Sequence, residues 1–182
     1  YYGGSSKRNI KNVDLKNNRK NTWGTGLIFD HEIDSIQNVT VAAGFTREIS
    51  ENGNNTSLFR NAYGLGLAYN FVHTTYGLDL ERQVTKNQGD KRTKNEVRAI
   101  VRQGLNEDWN VYAMYAYKTD KQFGDTDRTR QFMVGTEYYV YNQGSLKVKP
   151  FLEWQATRTK YENSAVDRSR DFKTVIGLRA YW

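Results

Sequence analysis

Strict alternation of side-chain character along residues 169–182 is the strongest structural signal in the chain. One set of alternate positions is apolar or aromatic, namely Phe172, Thr174, Ile176, Leu178, Ala180 and Trp182. The intervening positions from Lys173 to Tyr181 include Lys, Arg and Gly. A period of two residues is that of a β-strand with two unlike faces. Such a strand suits the wall of a transmembrane β-barrel, with lipid on the apolar side and water on the other.

The same alternation recurs along most of the chain. It predicts strands over residues 20–31, 36–50, 56–70, 76–81, 96–102, 109–118, 129–141, 146–156 and 169–182, and we add residues 1–8 as a short first strand. Short turns are predicted at residues 31–35, 70–73, 105–108 and 142–145, and longer polar connections at 51–55, 86–94, 120–127 and 161–167. Short turns at one end and longer loops at the other are typical of outer-membrane barrels. Pro150 is an exception inside its strand, because proline cannot donate to a ladder.

Length and composition place the chain in one class. The 182 residues predict a single domain, residues 1–182, and no apolar run is long enough for a transmembrane helix. A mean hydropathy of -0.83 is low for a membrane protein, but 14% aromatic residues argue against disorder. A barrel reconciles the two, because only one face of each strand must be apolar. We therefore predict an all-β fold, a transmembrane antiparallel up-and-down β-barrel of about ten strands, with twelve as the alternative.

A water-soluble barrel or sandwich with its apolar face inward is the competing fold. Three features favour the membrane barrel over it. Most predicted strands are longer than the roughly five to six residues usual in soluble proteins. Aromatic residues stand near the ends of the apolar runs, as an interfacial girdle requires. The polar faces also mix Gly and Tyr with charged residues.

On the barrel interpretation, the lumen face collects a set of basic side chains: Arg98, Arg102, Lys118, Lys147, Lys149, Lys173 and Arg179. Acidic residues on that face are Asp79, Glu81, Glu96, Glu137 and Glu153. Stacked bases on one strand predict cationic ladders, and rings of Arg or Lys favour anions in pores. Alternatively, the bases pair with these acids and fill a narrow lumen. The surplus of bases favours anion over cation preference.

Other chemistry finds little support in the sequence. Omptin-type proteases place histidine and aspartate at the outer rim of a ten-stranded barrel, whereas His31 and His73 fall at predicted short turns. Two lone histidines are a poor metal site, and no phosphate-binding glycine motif is present. We therefore expect no enzyme, no metal and no cofactor. The basic segments at residues 7–20 and 86–94 favour contact with anionic lipid headgroups over nucleic acid.

The C-terminal stretch, residues 149–182, resembles the corresponding hairpin of the oligogalacturonate-specific porin family, which includes sialic-acid porins. Lys149, Pro150, Phe151, Leu152 and Glu153 match its opening pattern of K-P-aromatic-hydrophobic-E. The closing strand matches at Arg168, Arg170, Gly177 and the terminal aromatic. The resemblance implies a twelve-stranded pore with two basic tracks that guide acidic oligosaccharides, and this chain is shorter.

Together these observations predict an outer-membrane channel for passive diffusion of small anionic solutes such as acidic oligosaccharides. The alternative is a closed structural or binding barrel whose surface loops contact a partner protein or ligand. The expected location is the outer membrane of a Gram-negative bacterium, with the signal peptide removed. Membrane lipids are the expected partners, without nucleic acid, and a monomer is favoured slightly.

Overall fold

The computed structural model describes residues 4–8, 18–52, 56–87, 89–143, 146–163 and 168–181. These residues form the strands β1 (Gly4–Arg8), β2 (Asn18–Asp34), β3 (Gln37–Asn52), β4 (Thr56–Phe71), β5 (Thr74–Asn87), β6 (Asp90–Gly104), β7 (Trp109–Gln122), β8 (Asp125–Tyr138), β9 (Tyr141–Gln143), β10 (Leu146–Lys160) and β11 (Arg168–Tyr181). None of the described residues belongs to a helix long and apolar enough to cross a membrane.

All of these strands belong to one antiparallel sheet. The order is β1-β2-β3-β4-β5-β6-β7-β8-β10-β11, and the short β9 pairs with β10 beside that path. The nine long strands run alternately up and down, each beside its neighbour in sequence apart from the interposed β9. The prediction of an all-β, up-and-down antiparallel fold is therefore confirmed.

The short first strand predicted at residues 1–8 corresponds to β1, with residues 1–3 outside the described part of the chain. It pairs with β2 only between Asn18 and Thr22. Among the described residues no pairing joins β11 to β1 or β2, so the sheet is not closed. Within the described residues, two strand edges have no pairing partner: β2 beyond Thr22, and the side of β11 that faces away from β10. Trp182, the predicted terminal aromatic, lies outside the described residues.

Two of the predicted long connections are wrong. The segments at 86–94 and 120–127 are strand extensions joined by tight turns, because β5 ends at Asn87, β6 begins at Asp90, β7 ends at Gln122 and β8 begins at Asp125. Side chains on both faces of these extensions are polar, so apolar and polar residues no longer alternate along the sequence. The hydrogen-bonded ladder nevertheless continues. We call the edge of the sheet holding residues 35–36, 72–73 and 105–108 the near end, and the opposite edge the far end.

Pro150 lies where β10 changes its partner. Phe151–Lys160 pairs with β8, whereas residues 146–148 pair with β9. Lys149 and Pro150 therefore have no ladder partner on that side, although Pro150 stands opposite Leu178 of β11. A proline without an N–H group fits such a break. The strand predicted over residues 129–141 is divided at the same place, into β8 and the three-residue β9.

The two faces of the sheet differ in how far their side chains are exposed, and large apolar side chains are among the exposed ones. The apolar face, which carries the alternate positions that include Ile176 and Leu178, is open, and these two side chains are 80% and 64% exposed. The polar face includes Glu137, which is 1% exposed. Among the described residues the buried hydrophobic core consists of Ala116 alone. The buried charged residues Glu137 and Lys149 thus lie on the polar face while large apolar side chains of the other face are exposed, the reverse of a water-soluble sandwich.

Aromatic side chains on the apolar face form rows that cross neighbouring strands. Rings follow one another across β8, β10 and β11, where Phe132 meets Trp154 with centroids 6.4 Å apart, and Trp154 stacks on Phe172 at 6.1 Å. On the N-terminal side Trp23, Phe45 and Tyr63 form a similar row, with centroid distances of 5.4 and 5.1 Å. These cross-strand aromatic pairs hold the registers of the sheet in place.

The apolar side chains do not follow a single row of hydrogen-bonded residues across the strands. One row is apolar from β2 to β7, through Leu27, Ala43, Leu65, Leu80, Val97 and Tyr117. The same row then reads Arg130, Arg158 and Arg170 on β8, β10 and β11. The apolar band therefore crosses the strands obliquely.

Candidate functional site

The strand registers place all seven predicted lumen cations on the polar face of the sheet. Arg98 stands opposite Asp79 and Ala116, and Lys118 stands opposite Glu96. Arg102 is opposite Tyr112, and Lys149 is opposite Arg179. Lys147 and Lys173 follow the same alternation on β10 and β11. The structure brings five of these seven cations into two ion-pair clusters, each built around one glutamate.

The first cluster surrounds Glu96 on β6. Its carboxylate accepts a bond from Arg98 Nη2 at 2.7 Å and lies 3.2 Å from Lys118 Nζ. Arg98 also lies 3.8 Å from Asp79 on β5. With two cations and two carboxylates, this cluster is electrically balanced.

The second cluster surrounds Glu137 on β8 and lies toward the near end. Three cations from three different strands converge on this buried carboxylate. Lys149 Nζ is 3.2 Å from Oε1 and Arg179 Nη1 is 3.1 Å from Oε2, while Arg102 forms an ion pair with Oε1. Lys149 itself is only 6% exposed. Burial makes this cluster costly to break, because removing the carboxylate would take away the negative charge that three cations share.

A second carboxylate extends this cluster across β7, β8, β10 and β11. Glu153 accepts bonds from Arg179 Nη2 at 2.7 Å and from the Tyr112 hydroxyl at 2.5 Å. The Tyr112 ring crosses β8 above Gly135, where the Cβ atom of any other residue would meet the ring at 2.5 Å. Glycine at position 135 is therefore what allows Tyr112 to reach two strands away.

Two of the cations also make cation–π contacts with aromatic rings. The Arg179 guanidinium lies over the Phe151 ring at 4.1 Å, and Lys149 Nζ lies over the Tyr139 ring at 4.7 Å. Phe151 in turn covers Gly177 on β11, leaving no room for a side chain there. Such cation–π contacts favour a fixed position for each positive charge.

Lys147 and Lys173 differ from the other five cations. Within the described part of the chain neither forms an ion pair, and both are exposed. On the polar face of β10 and β11 the basic residues Lys147, Lys149, Lys173 and Arg179 outnumber the acidic residues Glu153 and Asp171. This region keeps a local surplus of positive charge after its internal pairs are counted.

The centre of the polar face of β2, β3 and β4 carries small side chains. Its central positions are Gly26, Gly44 and Gly64, which stand opposite one another in one row, flanked by Ala42, Ala62, Gly66 and Ala68. Short side chains leave open space above this part of the sheet. The polar face thus combines small side chains at the centre of β2 to β4 with charged clusters in its C-terminal half.

Beyond the apolar band, the far end carries its own ion pair. Arg92 donates from Nε and Nη2 to the two carboxylate oxygens of Asp120 at 2.7 and 2.5 Å. This bidentate contact holds the pKa of the Asp120 carboxyl below its usual value. Lys94 adds a weaker contact at 3.6 Å. The pair ties β6 to β7 where both faces are polar.

The histidines contribute no cluster of ligands. His31 stacks beside Phe29 with ring centroids 6.2 Å apart, and the His73 carbonyl accepts a bond from Gly104 N at 2.7 Å. The described residues include no group of three or more side chains suited to holding a metal ion.

Sequence reasoning misses the residues that organise the clusters. By pattern alone Tyr112, Tyr139 and Phe151 are ordinary strand residues, and Glu137 is one counter-charge among five. The available signal is the pairing of a large ring with a glycine on the neighbouring strand, as for Tyr112 and Gly135. That signal becomes readable only after the register is known.

Comparison with known proteins yields no family model and no curated protein that matches this chain.

Proposed function

We propose that the chain forms a membrane-spanning β-barrel of the bacterial outer membrane that lets small anionic solutes diffuse across. The observation that carries this proposal is the reversed exposure of the two faces. Ile176 on the apolar face is 80% exposed, whereas Glu137 on the polar face is 1% exposed. An exposed apolar face avoids a large cost only if its surroundings are apolar, as lipid is.

The oblique course of the apolar band supports the same proposal. Strands in a barrel tilt by roughly 35–45° from its axis, so a band that lies level in a membrane must cross hydrogen-bonded rows obliquely. In the row from Leu27 to Arg170, the change from apolar to basic side chains between β7 and β8 fits this geometry.

Preference for anions is inferred from the charge on the polar face of β10 and β11. Lys147 and Lys173 have no ion-pair partner within the described residues, and they face the space above the small side chains of β2 to β4 once the barrel is closed. Ammonium groups in a water-filled lumen attract anions and repel cations. Residues 149–182 resemble porins for acidic oligosaccharides, which suggests that the anionic solutes carry carboxylate groups.

Conductance in planar bilayers tests this proposal. The protein should open channels whose reversal potential in a salt gradient reports anion preference, and oligogalacturonate should reduce the current by occupying the pore. The double variant Lys147→Glu with Lys173→Glu should shift the reversal potential toward cations, because two positive charges in the lumen become negative.

The matched control places the same charge change on the other face of the sheet. Lys86 and Lys91 stand opposite one another on β5 and β6, and both are exposed. Lys86→Glu with Lys91→Glu should leave the reversal potential nearly unchanged. Absence of any conductance from folded, inserted protein would refute the channel, and an equal shift in both variants would refute the role of the lumen lysines.

A closed structural or binding barrel is the second candidate, and the Glu137 cluster favours it. Ion pairs and rings from β6 to β11 occupy the C-terminal half of the polar face and link strands across their neighbours. If that cluster plugs the lumen, folded protein will insert into membranes without conducting, and function will rest on its outer ends.

A further inference from the structure

Six exposed cations form a compact patch on the apolar face at the far end. They lie on three adjacent strands and comprise Arg128, Arg130, Arg158, Lys160, Arg168 and Arg170. We call this set the basic patch. It belongs to the outer face of the proposed barrel, whereas the seven predicted lumen cations belong to the polar face.

The register places like charges directly opposite one another. Arg158 stands between Arg130 and Arg170, and Lys160 stands between Arg128 and Arg168. Cross-strand neighbours lie about 5 Å apart at Cβ, and like charges in such pairs are destabilising. Among the described residues none of the six forms an ion pair, and every one of them is exposed. Within the described part of the chain, therefore, no ion pair compensates for this repulsion.

The patch begins where the aromatic band ends. Arg130 is two residues from Phe132, and Arg170 is two residues from Phe172, so each cation lies about 7 Å along its strand from a ring. Trp154, whose ring contacts both Phe132 and Phe172, is of the type that marks the boundary between hydrocarbon and headgroups. The six cations are therefore at headgroup depth, provided that the proposed membrane span is correct.

We propose that the basic patch is a binding site for a phosphorylated lipid headgroup in the membrane leaflet at the far end. Guanidinium groups bind phosphate oxygens in a bidentate fork, and all of the patch except Lys160 is arginine. Two rows of three cations suit a headgroup that carries more than one phosphate, such as that of lipid A. Bound phosphate would relieve the repulsion between these like charges.

Lipid binding to the folded protein in a neutral detergent tests this site. Native mass spectrometry would compare lipid A bearing both phosphates with its dephosphorylated form, and inorganic pyrophosphate would be added as a competitor. The unaltered protein should retain the phosphorylated lipid preferentially. Arg130→Gln with Arg158→Gln should weaken that binding by about tenfold or more, since each basic residue near a lipid surface contributes about one kcal/mol.

A charge-matched control separates the patch from net charge. Lys147→Gln with Lys173→Gln removes two charges from the opposite face and should keep the preference for phosphorylated lipid. Without lipid, Arg130→Gln with Arg158→Gln should unfold at the same or a higher urea concentration than the unaltered protein, because repulsion is relieved. A variant that is folded yet binds lipid A as well as the unaltered protein would overturn the proposal.

Other outcomes are equally decisive. Equal loss in both double variants would assign the effect to net charge, and full competition by pyrophosphate would make this a site for free anions; either result overturns the lipid site. Protein that stays soluble without detergent would overturn the membrane span together with the patch. Inserted protein that prefers phosphorylated lipid but carries no current would sink the channel alone.

Discussion

At the scale of single residues, one buried carboxylate organises the charged half of the polar face. Glu137 receives Arg102, Lys149 and Arg179 from three strands. Each of these cations lies on the polar face of its own strand. All three would therefore face this side in any register that keeps the polar residues of neighbouring strands together. Their meeting at Glu137 depends on the particular register that the sheet adopts.

We predict that Glu137→Gln destabilises the folded protein by about 3 kcal/mol or more, because Arg102, Lys149 and Arg179 would lose the buried carboxylate that they share. Urea unfolding in detergent measures this change. Glu107→Gln, an exposed substitution in the turn at residues 105–108, should change stability by no more than about 0.5 kcal/mol. Equal, small effects of the two substitutions would show that the cluster contributes little.

At the scale of elements, the hairpin of β7 and β8 shows how the far end is built. Its turn residues Phe123 and Gly124 both have positive φ, at 53° and 96°. Two positive values are what a type I′ turn requires, and its preferred sequence is Asn-Gly. Phenylalanine is unfavourable in this conformation, and the ring is 70% exposed, so packing offers little compensation.

Phe123→Asn should therefore stabilise the protein, by about 1 kcal/mol, since asparagine adopts positive φ more readily. The midpoint of urea unfolding in detergent reports the gain. Phe123→Ala removes the same ring without easing the backbone and should give no gain. If both variants behave alike, the exposed ring rather than the turn conformation determines the result.

At the scale of the whole molecule, strand direction constrains how the sheet can close. β2 and β11 run in the same direction, so antiparallel closure requires a strand between them. β1 has the right direction and already pairs with β2 at Asn18–Thr22. A ten-stranded barrel would then place β1 against the far-end half of β11.

Engineered disulfides test this closure, because the chain contains no cysteine of its own. Ser6 stands opposite Lys20 in the ladder of β1 and β2. Ser6→Cys combined in turn with Ser169→Cys, Asp171→Cys or Lys173→Cys should give one rapidly oxidised pair, visible as a shift on a non-reducing gel. Ser6→Cys with Glu107→Cys, at opposite ends of the sheet, should not crosslink. Failure of the entire series would mean that the sheet stays open at this seam.

Much of the fold can be predicted from alternation alone. Strands such as β3 and β4 are predicted nearly to their ends, since one face of each is apolar along much of its length. Alternation fails at residues 86–94 and 120–127, where Lys, Asp, Thr and Gln occupy both faces. Backbone hydrogen bonds stabilise a strand whatever its side chains are, but they leave no trace in the sequence pattern.

The candidate site is predictable in composition but not in arrangement. Arg98 and Arg102 resemble one cationic ladder because they share a strand and a face. In the folded sheet Arg98 belongs to the Glu96 cluster and Arg102 to the Glu137 cluster. Glu96 is a local partner, two residues from Arg98 on β6, whereas Glu137 lies on β8, so only the register brings it to Arg102.

By itself, then, the sequence determined that this chain forms long antiparallel strands with one apolar and one polar face, because side chains alternate every two residues whatever the neighbours are. Tertiary structure alone decided which residues meet. It brought three cations to Glu137, set Tyr112 over Gly135, and aligned six cations beside the aromatic band. The physical reason is that alternation is a local property of one strand, whereas register and pairing are fixed by cross-strand contacts between distant parts of the chain.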